Sequence, residues 1–268
     1  MTRLAIRHVT TYRFDGGLAH GLQQVRKWPK SGNGQIVHSW DTEITGGKVE
    51  LSYDDHHNNR IELLSFDAET TELVIVSSGE VEVADNAGVV GPHRATAPLW
   101  LYERPTARTK TGPNLRAMLK EVSAGQPLDN LHQLMQLTAG RVTYEIGASE
   151  PIWTAEEALQ AGRGVCQDHA HVFVTAAREL GFPARYVSGY LMMDDRTDQD
   201  AMHAWAEAHV EGLGWVGFDP SNGISPDARY VRVATGLDYS DAAPVRGIRQ
   251  GDGGEALSVE IQVAEQPQ

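Results

Sequence analysis

One cysteine is the most distinctive chemical group in this chain. Cys166 is the only cysteine among 268 residues, and it lies in the segment Gly-Arg-Gly-Val-Cys-Gln-Asp-His-Ala-His, where a helix is predicted to begin. His203 follows on a predicted strand, and Asp219 lies at the end of the next predicted strand. A thiol at a helix start, a strand imidazole and a strand carboxylate are, in this order, the parts of a nucleophilic triad.

The surroundings of Cys166 bear on two interpretations of a lone cysteine. Such a residue is commonly a small, buried apolar side chain. Here Gly162 and Gly164 allow the backbone to approach closely just before the helix. A helix N-terminus presents unpaired N–H groups and a partial positive charge, and both favour a thiolate. The Cys166 N–H is also the first candidate for an oxyanion hole, so the context favours a reactive thiol.

The pairing of two strands decides whether Asp219 can reach His203. On the strand that begins at His203, Trp205 and Glu207 share the face of His203, and the alanines between them share the other face. We expect the alanine face to pack on a helix and the histidine face to look into a cleft. A three-residue loop between the strands places Asp219 opposite Trp205, on the His203 face, whereas the alternative register turns it away. We predict the first register or a bulge.

Three polar residues beside Cys166 raise the question of a metal site. Asp168, His169 and His171 are of the types that bind zinc. However, His169 and His171 are two residues apart on the predicted helix and therefore point to different faces. We expect no metal and no other cofactor. Asp168 is better suited to be a carboxylate at the helix start that accepts backbone N–H groups.

Composition and charge argue against several classes of protein. Hydrophobic residues make up 41% and charged residues 22% of the chain, as in ordinary globular proteins. The formal net charge of −13 repels phosphate backbones, so we expect no nucleic-acid partner. The N-terminus lacks the apolar run of a secretory signal, and no segment approaches the roughly 18 apolar residues of a membrane span. We therefore expect no membrane partner. Because a single cysteine cannot form an internal disulfide, we also expect a reducing compartment, and thus a cytoplasmic protein.

The pattern of apolar residues changes near the middle of the chain. Residues 1–95 carry short alternating runs between glycine-rich turns, which predict an all-β, sandwich-like domain. Because no set of residues in it points to chemistry, we expect this domain either to shape the cleft or to bind a partner. Residues 96–113 are rich in proline and predict a linker or an irregular crossover. In residues 114–268, helical periodicity comes first, and strands follow, including one near the C-terminus. The fold class is therefore α+β, with an N-terminal β domain before a core of helices and an antiparallel sheet.

Three motifs in the second half resemble the core motifs of the transglutaminase-like superfamily of papain-like thiol enzymes. They are Gly-Val-Cys166, the strand His203-Ala-Trp-Ala-Glu and the strand Trp-Val-Gly-Phe-Asp219-Pro, in this order. The opening His8-Val-Thr-Thr-Tyr and the late Leu-Asp238-Tyr-Ser-Asp-Ala-Ala-Pro are similar to the bacterial branch that has its own N-terminal β domain. The resemblance extends over nearly the whole chain.

The resemblance implies a papain-like core with Cys166 as nucleophile, His203 as general base and acid, and Asp219 as the residue that orients the imidazole. The implied reaction is thiol acyl transfer at an amide bond of a peptide or protein. Water as acceptor gives a cysteine peptidase or amidase, which we favour, and an amine gives a transglutaminase. A non-catalytic peptide-binding module is a third alternative, against which the complete set of three side chains argues. His169 departs from the family pattern, in which we expect an aromatic residue such as phenylalanine; it either alters the charge near the thiol or packs.

Overall fold

The structure, a computed structural model, describes residues 1–16, 20–250 and 253–266. Its strands are β1 (Thr2–Phe14), β2 (His20–Val25), β3 (Gln35–Thr45), β4 (Gly47–Asp54), β5 (Arg60–Phe66), β6 (Glu72–Val83), β7 (Val89–Gly91), β8 (Thr143–Tyr144), β9 (Arg163–Gly164), β10 (Ala184–Leu191), β11 (Asp198–Gln199), β12 (His203–Val210), β13 (Gly214–Phe218), β14 (Tyr230–Gly236), β15 (Val245–Gln250) and β16 (Glu255–Glu265). Its α-helices are α1 (Pro113–Leu119), α2 (Pro127–Arg141), α3 (Ala155–Ala161), α4 (Cys166–Glu179) and α5 (Tyr239–Ala242). None of the helices in these ranges has the length and apolar character that crossing a membrane requires.

The N-terminal region is a sandwich of two antiparallel sheets, as the alternating pattern predicts. One sheet has the strand order β11-β16-β1-β6-β3, and the other has the order β15-β2-β5-β4. Tyr12, Val25 and Leu64 are buried in the core between the two sheets. Leu4 and Ile6 are buried in a second core, which the sandwich shares with the central sheet and with α4. Because the two halves of the chain share a hydrophobic core, the sandwich also positions the site described below.

The last two strands belong to the N-terminal sandwich, which differs from the predicted division of the chain. The sequence grouped the C-terminal strand with the core over residues 114–268, but β16 pairs with β1 over eleven residue pairs, and β15 pairs with β2. In the opposite direction, β7 pairs with β13 at the edge of the central sheet. Alternation finds such strands but not their partners, because pairing between distant segments leaves no signal in the local period.

The core is a five-stranded antiparallel sheet with α4 packed on one face. The strand order is β14-β10-β12-β13-β7. Ala206 and Ala208 of β12 are fully buried in the cluster that also contains Val172 and Phe173 of α4. The small side chains allow the helix to lie close to the sheet, as expected from the alanine face. With α2 and α3 on its other side, α4 is buried all round from Asp168 to Arg178, so its first residue is rigidly placed.

The segment predicted as a linker, residues 96–113, packs on the core. A 3-10 helix spans Leu99–Glu103, and its Tyr102 is fully buried against Trp215, with ring centroids 5.1 Å apart. The buried Arg178 of α4 donates to the carbonyl oxygens of Tyr102, at 2.8 Å, and Arg104, at 3.0 Å. The segment is thus an irregular crossover with fixed contacts to the helix that carries Cys166.

Candidate active site

Cys166 is the first residue of α4, and a carboxylate fixes the turn in which it lies. Asp168 Oδ2 accepts the N–H of Val165 at 2.8 Å and the hydroxyl of Ser149 at 2.5 Å. Gly164 is required here, because a Cβ atom at this position would lie 2.7 Å from the Asp168 side chain. The predicted role of Asp168 at the helix start is therefore confirmed. The N–H groups of Cys166 and Gln167 precede the first helical hydrogen bond to the Val165 carbonyl oxygen and lie next to the thiol.

Strands β12 and β13 pair in the register that brings Asp219 to His203. Ala206 pairs with Phe218, and continuing this register by one residue places Asp219 opposite Trp205, as predicted. His203 Nε2 lies 2.7 Å from Asp219 Oδ2. The three-residue loop between the strands thus sets the geometry of the histidine–carboxylate pair.

Asp219 is fully buried and is held by a turn and a tyrosine. Its Oδ1 accepts the Ser221 hydroxyl at 2.6 Å, and its Oδ2 accepts Asn222 Nδ2 at 2.7 Å and the Tyr230 hydroxyl at 2.8 Å. Burial raises the pKa of Asp219, but hydrogen bonds from His203 and from the turn outweigh it and lower the pKa to about 2. The carboxylate is therefore ionised at neutral pH. Sequence reasoning gave Asn222 no role beyond the turn and did not single out Tyr230, which comes from a different strand.

His203 connects the carboxylate to the thiol. Because Nε2 is engaged by Asp219, Nδ1 is the ring nitrogen available for the hydrogen bond between His203 and Cys166. Burial lowers the pKa of His203, but hydrogen bonds with Asp219 and Cys166, and their negative charges, raise it to about 10. The imidazole is thus held as an imidazolium, the form that stabilises a neighbouring thiolate.

The rest of the His203 face of β12 does not look into the cleft, which corrects the expectation from alternation. Trp205 and Glu207 are fully buried and line no part of the Cys166 cleft. Instead, Glu207 Oε2 lies 2.6 Å from Arg185, and Glu207 Oε1 lies 2.6 Å from Arg232. The N-terminal region packs over this part of the sheet, a long-range contact that the strand's own period could not indicate.

His169 and His171 have separate partners on the backbone. His169 Nδ1 lies 2.9 Å from the carbonyl oxygen of Val165, and its Nε2 lies 2.8 Å from that of Val142. Both ring nitrogens thus face carbonyl oxygens of the backbone, and the ring braces the helix start. The fully buried His171 accepts the Tyr239 N–H at 3.2 Å through Nε2. Within the described ranges, no group of three or more His, Cys, Asp or Glu side chains is arranged to hold a metal.

The cleft at Cys166 has a volume of about 470 Å³ and takes its walls from both halves of the chain. The N-terminal sandwich contributes His8, Thr10 and, from its C-terminal strand, Leu257. His8 is fixed by hydrogen bonds to the Tyr190 hydroxyl at 3.0 Å and to Thr10 Oγ1 at 3.1 Å. Of the two roles expected for the N-terminal domain, shaping the cleft or binding a partner, these contacts support the first, and they place His8 of the opening His8-Val-Thr-Thr-Tyr motif in the cleft wall.

Comparisons with known proteins agree with this organisation. The model of the transglutaminase-like superfamily matches residues 116–220, and the model of the bacterial transglutaminase-like N-terminal region matches residues 4–82. An uncharacterised protein of Mycobacterium leprae is 27% identical over 277 residues, which cover 98% of this chain and 99% of that protein. An uncharacterised protein of Mycobacterium tuberculosis is 34% identical over 152 residues, which cover 51% of this chain and 48% of that protein.

A solved structure shows the same fold at low sequence identity. A proposed cysteine protease from Cytophaga hutchinsonii superposes with a TM-score of 0.80 at 18% identity, over 100% of this chain and 91% of that chain. The match to the core model includes Cys166, His203 and Asp219, and the match to the N-terminal model spans β2 to β5 and most of β1 and β6. The chain therefore belongs to the transglutaminase-like superfamily, with that superfamily's bacterial N-terminal region before the core.

Proposed function

We propose that this protein is a Cys–His–Asp thiol enzyme that cleaves amide bonds through an acyl-enzyme, as a cysteine peptidase or amidase. The observation that carries the proposal is the continuous set of contacts from Asp219 through His203 to Cys166 at the start of a buried helix. The buried carboxylate stabilises the imidazolium, and the imidazolium stabilises a thiolate. This is the arrangement of an activated nucleophile.

The proposed acylation uses each member of the set once. The Cys166 sulfur attacks the amide carbonyl carbon, and the S–C bond forms while the carbonyl oxygen gains negative charge. The N–H of Cys166 at the helix start is placed to donate to that oxygen. The C–N bond then breaks as His203 gives its proton to the leaving nitrogen, and Asp219 holds the ring throughout. The products are a free amine and a thioester at Cys166.

The proposed second half-reaction returns the enzyme to its starting state. Water gives a proton to His203 and attacks the thioester carbon, so the C–O bond forms and the S–C bond breaks. The thiolate and the imidazolium are restored, and a carboxylic acid leaves. Water is the favoured acceptor because Cys166 is only partly buried and the cleft is open to solvent.

The cleft supports a peptide or protein as the proposed substrate. Its walls include the apolar side chains of Tyr144, Met202 and Leu257, and a cavity of about 470 Å³ accommodates amino-acid side chains next to the thiol. The cytoplasm remains the proposed location, because the lone cysteine is a free thiol and a reducing compartment preserves it.

The test is to incubate the protein with an unfolded protein substrate in the presence of a fluorescent primary amine. The proposal predicts new peptide termini, or glutamine side chains converted to glutamate, in the mass spectrum and little incorporation of the amine. Covalent incorporation of the amine at glutamine would assign a transglutaminase instead. Cys166→Ala is the matched control, and products that persist in this variant would contradict a role for the thiol.

A further inference from the structure

We propose that a second cavity, on the face of the central sheet opposite to α4, binds a small organic anion that carries at least two phosphate or carboxylate charges. The cavity has a volume of about 450 Å³ and lies between the N-terminal sandwich and the sheet. None of the described residues lines both this cavity and the Cys166 cleft. The proposal therefore concerns a separate binding site and does not depend on the thiol chemistry.

Positively charged side chains dominate this cavity, although the chain as a whole has a net charge of −13. Five cationic side chains line it, namely Lys30, Arg60, Arg94, Arg185 and Arg232. Asp54 is the one carboxylate in the same lining. A cavity lined by charges of one sign, with walls of low dielectric constant, concentrates their field and attracts the opposite charge. In an acidic protein, such a concentration of cations needs a local explanation.

Two of the arginines that line the cavity share a single buried carboxylate that is not itself part of the lining. Glu207 is fully buried, and each of its oxygens lies 2.6 Å from one guanidinium, that of Arg185 or that of Arg232. The three groups together carry a net positive charge in a buried layer. Because an unbalanced buried charge is costly, an anion that enters the cavity would be stabilised there. The Arg185 guanidinium also stacks on Trp215, 3.8 Å from the ring centroid, which fixes its plane.

Lys30 adds an amine that has only neutral hydrogen-bond partners. Its Nζ donates to the carbonyl oxygen of His57 at 2.8 Å and to Thr235 Oγ1 at 2.9 Å. Burial, followed by the positive charges of Arg232 and Arg185, holds the pKa of Lys30 well below its ordinary value. The amine thus experiences the same excess of positive charge that an anion would neutralise.

Arg60 and Arg94 complete the site at its rim. Both residues are exposed, and neither guanidinium forms a hydrogen bond or an ion pair with any residue that the structure describes. A guanidinium donates two parallel N–H groups, which match the oxygens of a carboxylate or a phosphate. Free guanidinium groups at the mouth and charged groups at the floor suit a ligand with charges at more than one position.

The other walls indicate a small ligand with a carbon skeleton. Trp28 and Trp215 contribute aromatic surface, and the volume falls within the roughly 300–1,000 Å³ of small-molecule sites. Such a cavity takes a compact molecule and leaves no room for a folded polymer. Its chemical class is therefore a small polyvalent carboxylate or phosphate ester.

Titration calorimetry on the intact protein tests this proposal with pyrophosphate and with citrate as separate probes, at about physiological ionic strength. We expect saturable binding of one equivalent of at least one probe, and the preferred probe distinguishes phosphate from carboxylate recognition. The double variant Arg60→Ala/Arg94→Ala removes only exposed rim side chains and is expected to weaken binding by about tenfold or more, since charge-assisted hydrogen bonds are lost.

The matched control is Arg7→Ala/Lys110→Ala, which removes two exposed cations that do not line the cavity. It changes the net charge by the same amount and should bind as the wild type does. Absence of binding by both probes would overturn the proposal. Equal weakening in the two double variants would also overturn it, because the probes would then respond to net charge alone. Thermal unfolding of each variant confirms that the fold is intact.

Discussion

Two buried ionic clusters lie four residues apart on the same strand, and they differ in what their charges can do. At the start of β12, His203 pairs with Asp219 and forms a hydrogen bond with Cys166. Its imidazole can lose or gain a proton. Further along β12, Glu207 pairs with two arginines, which stay charged. The first cluster opens into the Cys166 cleft, and the two arginines of the second cluster line the second cavity.

A buried ion pair is therefore not by itself evidence of a catalytic site. The pair at His203 includes a titratable nitrogen and lies beside a nucleophile, so a proton can move within it. The pair at Glu207 has no nucleophile, and its removal would leave charges without partners in the interior. The first cluster should therefore dominate turnover, and the second should dominate stability and anion binding.

The largest effect is expected when the thiol is removed, because turnover should be lost while stability is kept. Cys166→Ala should abolish turnover of any amide substrate, because no other residue can form the thioester. Its midpoint of thermal unfolding should change little, since the side chain is small and only partly buried. Turnover assays and calorimetric unfolding check the two halves of this prediction. Turnover that survives in the variant would contradict the proposed mechanism.

Replacement of Glu207 should instead lower the stability of the fold. Glu207→Gln removes the charge that two buried guanidinium groups share, and it should lower the free energy of unfolding by about 3–5 kcal/mol. Urea denaturation measures this change. Glu72→Gln is the matched control, because its ion pair with Arg13 is exposed and is worth at most about 1 kcal/mol. Equal losses in the two variants would remove the distinction between the clusters.

A smaller effect concerns the pH range in which His203 stays protonated. Asp219→Asn keeps the geometry but removes the negative charge, so the pKa of His203 should fall by about 1–3 units. Because the imidazolium, which protonates the leaving amine, would then lose its proton at lower pH, the alkaline limit of amide cleavage should move to lower pH. The dependence of kcat/KM for amide cleavage on pH measures this limit. An unchanged alkaline limit would show that the carboxylate does not control the imidazole.

A more gradual effect, spread over several pH units, concerns acid stability. Burial lowers the pKa of His171 from 6.5 in the unfolded chain to about 3 in the fold. The unfolded chain therefore takes up a proton that the folded chain does not, and stability is lost as the pH falls from 6.5 towards 3. The slope for one such proton is at most about 1.4 kcal/mol per pH unit. Urea denaturation between these pH values should show a shallower slope for His171→Gln, whose side-chain oxygen can still accept the Tyr239 N–H.

Local signals were sufficient to predict the centre of the site. The glycines before Cys166 predicted a close approach, and Gly164 indeed lies against Asp168. The short loop after β12 predicted the register that brings Asp219 to His203. Both features depend on neighbours along the chain, where turn chemistry and strand period act directly.

Contacts between distant segments account for what the sequence did not indicate. The C-terminal strand alternates as predicted, yet its partner is β1, at the other end of the chain. Tyr230 reaches Asp219 from a separate strand, and the two arginines that pair with Glu207 come from β10 and β14. Periodicity identifies the buried face of such elements but carries no information on which side chains meet there.

Activation of Cys166 by His203 can be tested directly through the rate of alkylation by iodoacetamide. This rate is measured by mass between about pH 5 and pH 10, for the wild type and for His203→Ala. We expect rapid single labelling of the wild type near pH 6, because the imidazolium stabilises the thiolate. In His203→Ala, labelling should be slow at that pH and should rise only towards the ordinary thiol range near about 8.5. Identical profiles for the two proteins would contradict the account, because the thiol would then not be activated by His203.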